Sequence, residues 1–217
     1  MRGYGAEKLR RAIKIEMMTT DRPYKMSYTA GALMLSESII AVEAYAETGS
    51  WTEAKQLLID ENRLQLRMNS SATRVTREII NRLKNLTESQ LTLFQQGTLN
   101  DQTNLVWLAL CKQYRFISEF SIEVVREKFL KLDYLLSRND YEVFFNNKAE
   151  WATELEELKE STKKKATRVL FKMLRDAEII NDSNLIMGAM LSPKFIELVQ
   201  GDPHSTLAIF PVPESLL

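Results

Sequence analysis

The chain has 217 residues, of which 45% are hydrophobic and 27% are charged, the composition of a folded globular protein. This length allows one large domain or two small ones, with a core that needs neither disulfides nor metals. Lys plus Arg and Asp plus Glu both number 29, so the formal net charge is zero. A neutral total argues against a small, highly basic DNA-coating protein, but it leaves room for a local basic surface that binds nucleic acid.

The single cysteine, Cys111, excludes an intramolecular disulfide and fits a reducing compartment. It lies in an apolar run, where a buried structural thiol is expected rather than a nucleophile. No apolar run is long enough to span a bilayer, and the basic N-terminus is not followed by the features of a secretion signal. We therefore expect a cytoplasmic protein that does not enter a membrane.

Helix-breaking residues are scarce along most of the chain, with no Pro between Tyr24 and Ser192. Long Pro-free segments rich in Leu, Glu, Lys, Arg and Ala favour helices. Gly49, Gly97 and Gly201 stand where such helices should end. Caps and apolar periodicity predict helices over residues 32–47, 50–58, 70–86, 87–96, 102–113, 118–132, 140–146, 149–160 and 161–177, with a last one that begins at Ser192.

Local signals mark two helix starts and one interruption. Ser50 with Glu53, and Thr87 with Gln90, have the spacing of capping boxes. The segment 179–186 places polar, turn-forming residues between two apolar pairs, and this pattern predicts a small hairpin. No clear linker divides the chain.

Most motifs that carry catalysis are absent from the sequence. His204 is the only histidine, so a Ser–His–Asp set or a Cys–His pair would have to use it, and zinc sites lack enough ligands. Gly-rich phosphate loops are missing. A carboxylate-only metal site remains open, but the acidic residues have the spacing of a solvated helix face: Glu154, Glu156, Glu157 and Glu160. We therefore predict a non-enzymatic protein without cofactor or metal.

The segment 161–175 is the most informative one. On a helix it forms an apolar stripe of Ala166, Val169, Leu170, Met173 and Ala177. A neighbouring stripe carries cations, namely Lys164, Lys165, Arg168, Lys172 and Arg175. An acidic helix before it and a hairpin after it complete the order of a winged helix-turn-helix, whose second helix enters the major groove. The alternative is that the acidic helix neutralises the basic one within the fold.

A second basic segment surrounds the start of the helix predicted at 70–86. Its cations are Arg63, Arg67, Arg74 and Arg77. Residues 72–75 read Ala-Thr-Arg-Val, as do residues 166–169, which hints at two similar units. Arginines in the first turns of a helix can contact phosphates or guanine edges. The alternative is that they pair on the surface with Asp60, Glu61 or Glu78.

The tryptophans indicate core packing. Trp51, Trp107 and Trp151 lie within apolar helical patterns. We expect them to anchor the core rather than to stack on nucleic-acid bases. The aromatic residues therefore do not add to the nucleic-acid hypothesis.

Together these patterns predict an all-α, globular multi-helix fold with two helix-turn-helix units. Residues 1–97 would form an N-terminal half with the first unit. Residues 98–217 would form a C-terminal half with the second unit, which is winged. The boundary is expected near Gly97, with both halves packed as one globule.

Several segments, in the same order along the chain, resemble the BrxA family of bacteriophage exclusion (BREX) defence systems. These segments are residues 25–33, 50–51, 77–86, 113–117, 125–130, 144–151 and 161–175. The resemblance extends from about Tyr24 to Phe210. It implies an all-helical, cytoplasmic bacterial protein that carries helix-turn-helix elements and binds double-stranded DNA. It also implies operation alongside a methyltransferase and ATP-driven components, and no catalytic residues.

We therefore predict a DNA-binding accessory protein that binds the phosphate backbone with little sequence preference. The candidate contacts are Arg63, Arg67, Arg74, Arg77, Lys163, Lys164, Lys165, Arg168 and Lys172. The second hypothesis is a scaffold that docks the methyltransferase or ATPase components and has no DNA affinity of its own.

Overall fold

The computed structural model describes residues 23–217, so the first 22 residues of the predicted N-terminal half lie outside the described residues. Within this range the helices are α1 (Leu35–Thr48), α2 (Trp51–Asp60), α3 (Asn69–Leu83), α4 (Glu88–Gln96), α5 (Leu99–Gln113), α6 (Arg115–Phe120), α7 (Glu127–Leu130), α8 (Arg138–Ala149), α9 (Thr153–Glu156), α10 (Glu160–Asp176) and α11 (Pro193–Gln200). A π-helical stretch, Ser121–Arg126, joins α6 to α7, and 3-10 turns cover Ser27–Ala30, Leu207–Ile209 and Glu214–Leu216. The predicted all-α fold class is confirmed.

Helix α5 forms the centre of the molecule. Helices α1, α3, α4 and α6 pack against it, and every residue from Thr103 to Cys111 is buried. The indole N–H of Trp107 donates a hydrogen bond to the Ile209 carbonyl at 3.2 Å, which fixes the tail against α5. The predicted burial of Cys111 is therefore confirmed, and burial raises the pKa of its thiol. No helix among residues 23–217 is both long and apolar enough to cross a membrane.

Some helix ends lie where the local sequence signals predict them, and one predicted capping box does not form. Gly49 adopts a left-handed conformation (φ 68°) at the end of α1, as glycine does readily at a helix C-terminus. The Thr87–Gln90 capping box is present. The Ser50–Glu53 capping box does not form, because the Ser50 hydroxyl makes no capping bond. The Thr48 hydroxyl instead donates a hydrogen bond to the Ser50 carbonyl.

Two predicted helices differ in extent from the observed ones. Helix α3 starts at Asn69 and ends at Leu83 instead of spanning 70–86, so Ser70 and Ser71 lie within its first turn and do not cap it. In the range 149–160, the residues Thr153–Glu156 form one short helix. The preceding helix α8 is longer than predicted because a capping box of Ser137 and Asp140 starts it earlier.

The predicted hairpin at 179–186 is present, and a third extended segment pairs with it. Ile180 pairs with Ile186, and Leu135 pairs with Leu185, both in antiparallel bridges. The resulting arrangement is called the ribbon here, and it consists of the extended segments 134–136, 185–187 and 179–181 in that spatial order. The ribbon thus joins the chain before α8 to the chain after α10.

A buried ion pair holds the tail to the C-terminal end of α5. The Lys112 ammonium lies 2.5 Å from Asp202 Oδ2, and the two side chains are only 9% and 5% exposed. The Ser205 hydroxyl donates to the same carboxylate at 2.5 Å. Burial alone would raise the pKa of Asp202, but the hydrogen bonds from Lys112 and Ser205 hold that pKa well below its usual range. The carboxylate is therefore ionised and satisfied.

The three tryptophans occupy different environments. Trp107 is fully buried, as predicted. Trp51 is half-buried and stacks on Tyr45 with a ring separation of 4.3 Å. The prediction for Trp151 is wrong because its side chain is 89% exposed. It lies in the turn after α8, where the helical periodicity that suggested burial has already ended.

We expect Lys112→Met to destabilise the fold by about 3–5 kcal/mol, because it leaves the Asp202 carboxylate buried without its cation. Chemical denaturation followed by circular dichroism measures this change. The matched control is Lys194→Met, which breaks the exposed pair with Glu197 and should cost less than about 1 kcal/mol. Equal effects of the two substitutions would contradict this view of the buried pair.

Truncation of the tryptophans should separate their roles in the same assay. Trp107→Ala is expected to cost about 3–5 kcal/mol because it opens a cavity in the core. Trp151→Ala should change the unfolding free energy by no more than about 0.5 kcal/mol, as exposed substitutions usually do. A large loss of stability in Trp151→Ala would mean that its side chain packs against the fold in solution.

Candidate nucleic-acid interface

Helix α10 is amphipathic in the predicted sense. Of its predicted apolar stripe, Ala166, Leu170, Met173 and Ala177 are buried and Val169 is half-buried. The opposite face carries three exposed cations that form no ion pair with other residues in the range 23–217, namely Lys164, Lys165 and Arg168. These residues span little more than one helical turn, so they present a compact positive surface.

Lys163 is placed differently from its three neighbours. Its side chain is half-buried, and its ammonium stands 5.2 Å from the centre of the Phe145 ring of α8. This cation–π contact helps to hold α10 against α8. The ammonium of Lys163 is therefore less available to a ligand than the ammonium groups of Lys164 and Lys165.

Lys172 lies at the edge of a cleft between the two candidate segments. Its ammonium pairs with Asp176 one turn later, at 2.8 Å. The cleft has a volume of about 340 Å³, and both residues line it together with Leu66 and Val75. The C-terminal part of α10 and the N-terminal part of α3 therefore face a common space, which brings the two predicted basic segments together.

The arginines near α3 fall into two groups. Arg67, Arg74 and Arg77 are exposed, and none forms an ion pair within the described part of the chain. Arg63 is occupied: its guanidinium lies 2.7 Å from Glu47 and 2.8 Å from Glu61. Arg63 is therefore the least available of the four arginines.

The surface pairs proposed as the alternative form in only one case, between Arg63 and Glu61. Glu78 pairs with the buried Arg82 at 2.8 Å, and Asp60 accepts a hydrogen bond from Gln56 at 2.7 Å. These two carboxylates are therefore engaged elsewhere, which leaves Arg74 and Arg77 free of them.

The acidic segment before α10 does not neutralise the basic helix. Within the range 23–217, none of its glutamates forms an ion pair with a lysine or arginine of α10. Glu154 instead accepts a hydrogen bond from the Tyr24 backbone N–H at 2.7 Å.

The structure shows no group of three or more His, Cys, Asp or Glu residues among residues 23–217 that could hold a metal ion.

The repeated Ala-Thr-Arg-Val segments have matching environments. Ala72 and Ala166 are buried, Arg74 and Arg168 are exposed, and the following valines are half-buried. Their places in the helices differ, because the repeat begins nearer to the first residue of α3 than to that of α10. The repeat therefore reflects similar amphipathic faces, with the arginine outward in each.

Arg175, a member of the predicted cationic stripe, faces the ribbon. It donates a hydrogen bond to the Asn184 side chain at 2.8 Å, which ties α10 to the turn of the ribbon. One basic residue was missed by the sequence analysis. Arg138 is exposed in the first turn of α8 and forms no ion pair among residues 23–217. The Ser137–Asp140 capping-box spacing was the signal that could have located Arg138.

Comparisons with known proteins fit this architecture. A family model described as BrxA matches residues 22–202. A protein named BREX protein BrxA from Bacillus cereus (strain H3081.97) is 25% identical over 164 residues, which are 74% of this chain and 80% of that protein. The crystal structure of an uncharacterized protein from Magnetospirillum magneticum matches with a TM-score of 0.71 and 20% identity, covering 83% of this chain and 93% of that one. This structural likeness concerns the fold alone.

Proposed function

This chain belongs to the BrxA family, and we propose on that premise that it is a double-stranded DNA-binding accessory protein of a bacterial BREX phage-defence system. It acts without catalysis or cofactor, in the cytoplasm, beside the methyltransferase and ATPase components of the system. The name of the Bacillus cereus relative supports the link to BREX. The DNA-binding role rests on the surface of α10.

The observation that carries the proposal is the unpaired positive face of α10. Lys164, Lys165 and Arg168 have no carboxylate partner among the described residues, although the chain as a whole is neutral. Unpaired cations on a rigid helix neutralise phosphates and release counterions, which drives nucleic-acid binding. Because lysine binds phosphate as a point charge, the contacts should tolerate most sequences.

The order of elements around α10 supports a winged helix-turn-helix arrangement. Helices α6 and α7 precede the first ribbon segment, and α8 and α10 lie between it and the other two segments. In that motif the second helix of the pair enters the major groove. Here α10 would take that place, with Arg175 holding the ribbon in position through Asn184.

The arginines near α3 extend the proposed contact. Arg67, Arg74 and Arg77 are exposed, and the helix that carries Arg74 and Arg77 shares the cleft with Lys172. We assign them a supporting role on the phosphate backbone. Arg63 and Lys163 contribute least, because the first is paired with two carboxylates and the second lies over an aromatic ring.

The scaffold hypothesis has one observation in its favour. Trp151 is 89% exposed on a segment that also carries Glu150, Glu156 and Glu157. A negative surface with an exposed tryptophan suits a protein partner better than DNA. This surface is compatible with DNA binding by α10, and it would be the whole function only if α10 bound no DNA.

The test is fluorescence anisotropy of a labelled random duplex against the purified protein over a series of salt concentrations. We expect the affinity to fall steeply with salt. The double variant Lys165→Ala, Arg168→Ala should bind more weakly, with the slope of log K against log salt reduced by about one for each phosphate contact removed.

Lys194→Ala is the control, because it removes an exposed cation that lies on α11, away from the proposed contact. It should leave the slope unchanged. Absence of binding at low salt would refute direct DNA recognition. In that case a complex with the methyltransferase that is weakened by Trp151→Ala would favour the scaffold.

A further inference from the structure

The described part of the chain leaves a negative surface around Trp151 uncovered. This surface is called the acidic surface here, and it consists of residues 150–157, which form the turn after α8 and the short helix α9 with its end. The Trp151 indole is 89% exposed. Its glutamates Glu150, Glu156 and Glu157 are exposed as well, and none of the three forms an ion pair with another residue among 23–217.

The nearest lysines do not neutralise the acidic surface. The Lys148 ammonium lies 2.8 Å from Glu119 and 2.7 Å from Glu123, so its charge is already used. Residues 150–160 contain five glutamates and a single lysine, Lys159. A surface of one sign that also exposes a tryptophan fits a positively charged, partly apolar segment, because cations are attracted both to carboxylates and to the indole face.

The described structure begins beside this surface. The backbone N–H of Tyr24 donates to Glu154 Oε1 of α9 at 2.7 Å, and the Tyr24 hydroxyl donates to the buried Glu119 at 2.6 Å. These two bonds fix the point from which residues 1–22 extend. Glu154 follows Trp151 by three positions, which span at most roughly 11 Å between Cα atoms, so this point lies close to the exposed indole.

The sequence that precedes this point has the complementary chemistry. Residues 8–14 read Lys-Leu-Arg-Arg-Ala-Ile-Lys, with four cations, three apolar residues and no carboxylate. Arginine suits the acidic surface in particular, because its planar guanidinium stacks on a tryptophan and also binds carboxylates through two N–H groups. These seven residues lie before the region 22–202 that the family model matches, so the BrxA comparison assigns them no role.

We propose that residues 8–14 bind to the acidic surface of the same chain, with their arginines beside the Trp151 indole and the free glutamates. The nine positions from Lys14 to Pro23 can extend to roughly 30 Å, so the connection is long enough to allow this contact. A short tether also gives an effective concentration in the millimolar range, far above that of a second copy in dilute solution. The contact is therefore intramolecular and leaves the chain a monomer.

The experiment is acrylamide quenching of tryptophan fluorescence in the full chain that carries Trp51→Phe. The remaining tryptophans are Trp107, which is fully buried, and Trp151, so a neutral quencher reports the accessibility of Trp151. Arg10→Glu combined with Arg11→Glu should raise the quenching constant about twofold, because a millimolar effective concentration keeps roughly half of the chains docked even at a millimolar intrinsic affinity. The test contains no nucleic acid, so its failure is distinct from a failure of DNA binding.

The matched control reverses two exposed cations elsewhere, Lys131→Glu with Lys194→Glu, and should leave the quenching constant unchanged. Glu156→Arg with Glu157→Arg should raise it as the arginine reversals do. Combining both reversals in one chain should restore the low value, because the charges then match again.

Carbodiimide coupling is the second measurement, since it joins a lysine amine directly to a carboxylate in contact with it. We expect mass spectrometry of the monomeric product to find Lys8 or Lys14 linked to a glutamate of the acidic surface. Absence of such a link, quenching that does not respond to the arginine reversals, or a combined variant that stays as strongly quenched as either reversal alone would overturn the proposal. The acidic surface would then be free for a protein partner.

Discussion

Helix α5 is enclosed by other elements on all sides, and this enclosure constrains every neighbouring part of the fold. Residues Thr103 to Cys111 are buried without interruption, so no face of the helix is left for solvent. A helix in this position must have its polar ends satisfied by other segments. At the N-terminal end, Asp101 accepts from Thr98 and Ser192. At the C-terminal end, Lys112 binds Asp202 and the Asn85 carbonyl.

These polar contacts explain why distant parts of the chain belong to one structure. Ser192 caps α11 and also reaches Asp101 of α5, so one hydroxyl links the two helix starts. Asp202 joins the segment after α11 to α5 and to Gln90 of α4. Because the buried charges of Lys112 and Asp202 satisfy each other across 90 positions of sequence, the central helix and the tail stabilise each other.

The sequence predicted those features of the fold that depend on interactions between residues close together in the chain. The Thr87–Gln90 capping box, the end of α1 at Gly49 and the apolar stripe of α10 each depend on residues a few positions apart. The same holds for the all-α class. The exposed cations of α10 were predicted from the complementary stripe, since a helix that buries one face exposes the other.

Tertiary contacts determine the features that the sequence did not predict. Arg63 lies in the turn after α2 and pairs with Glu47 of α1, sixteen positions away, and no local pattern predicts that choice. Trp151 is exposed because α8 ends just before it, and the place of that end depends on packing. The first segment of the ribbon was missed for a similar reason, because Leu135 pairs with Leu185, which follows α8 and α10 in the sequence.

The hydrogen bond from Trp107 to Ile209 has a consequence for biosynthesis. Trp107 lies in mid-chain, and its indole N–H is satisfied only when residues 207–212 reach α5. While the ribosome is still extending the chain, α5 therefore has an open side and an unpaired Lys112. The core around α5 can therefore be completed only after the tail has been synthesised.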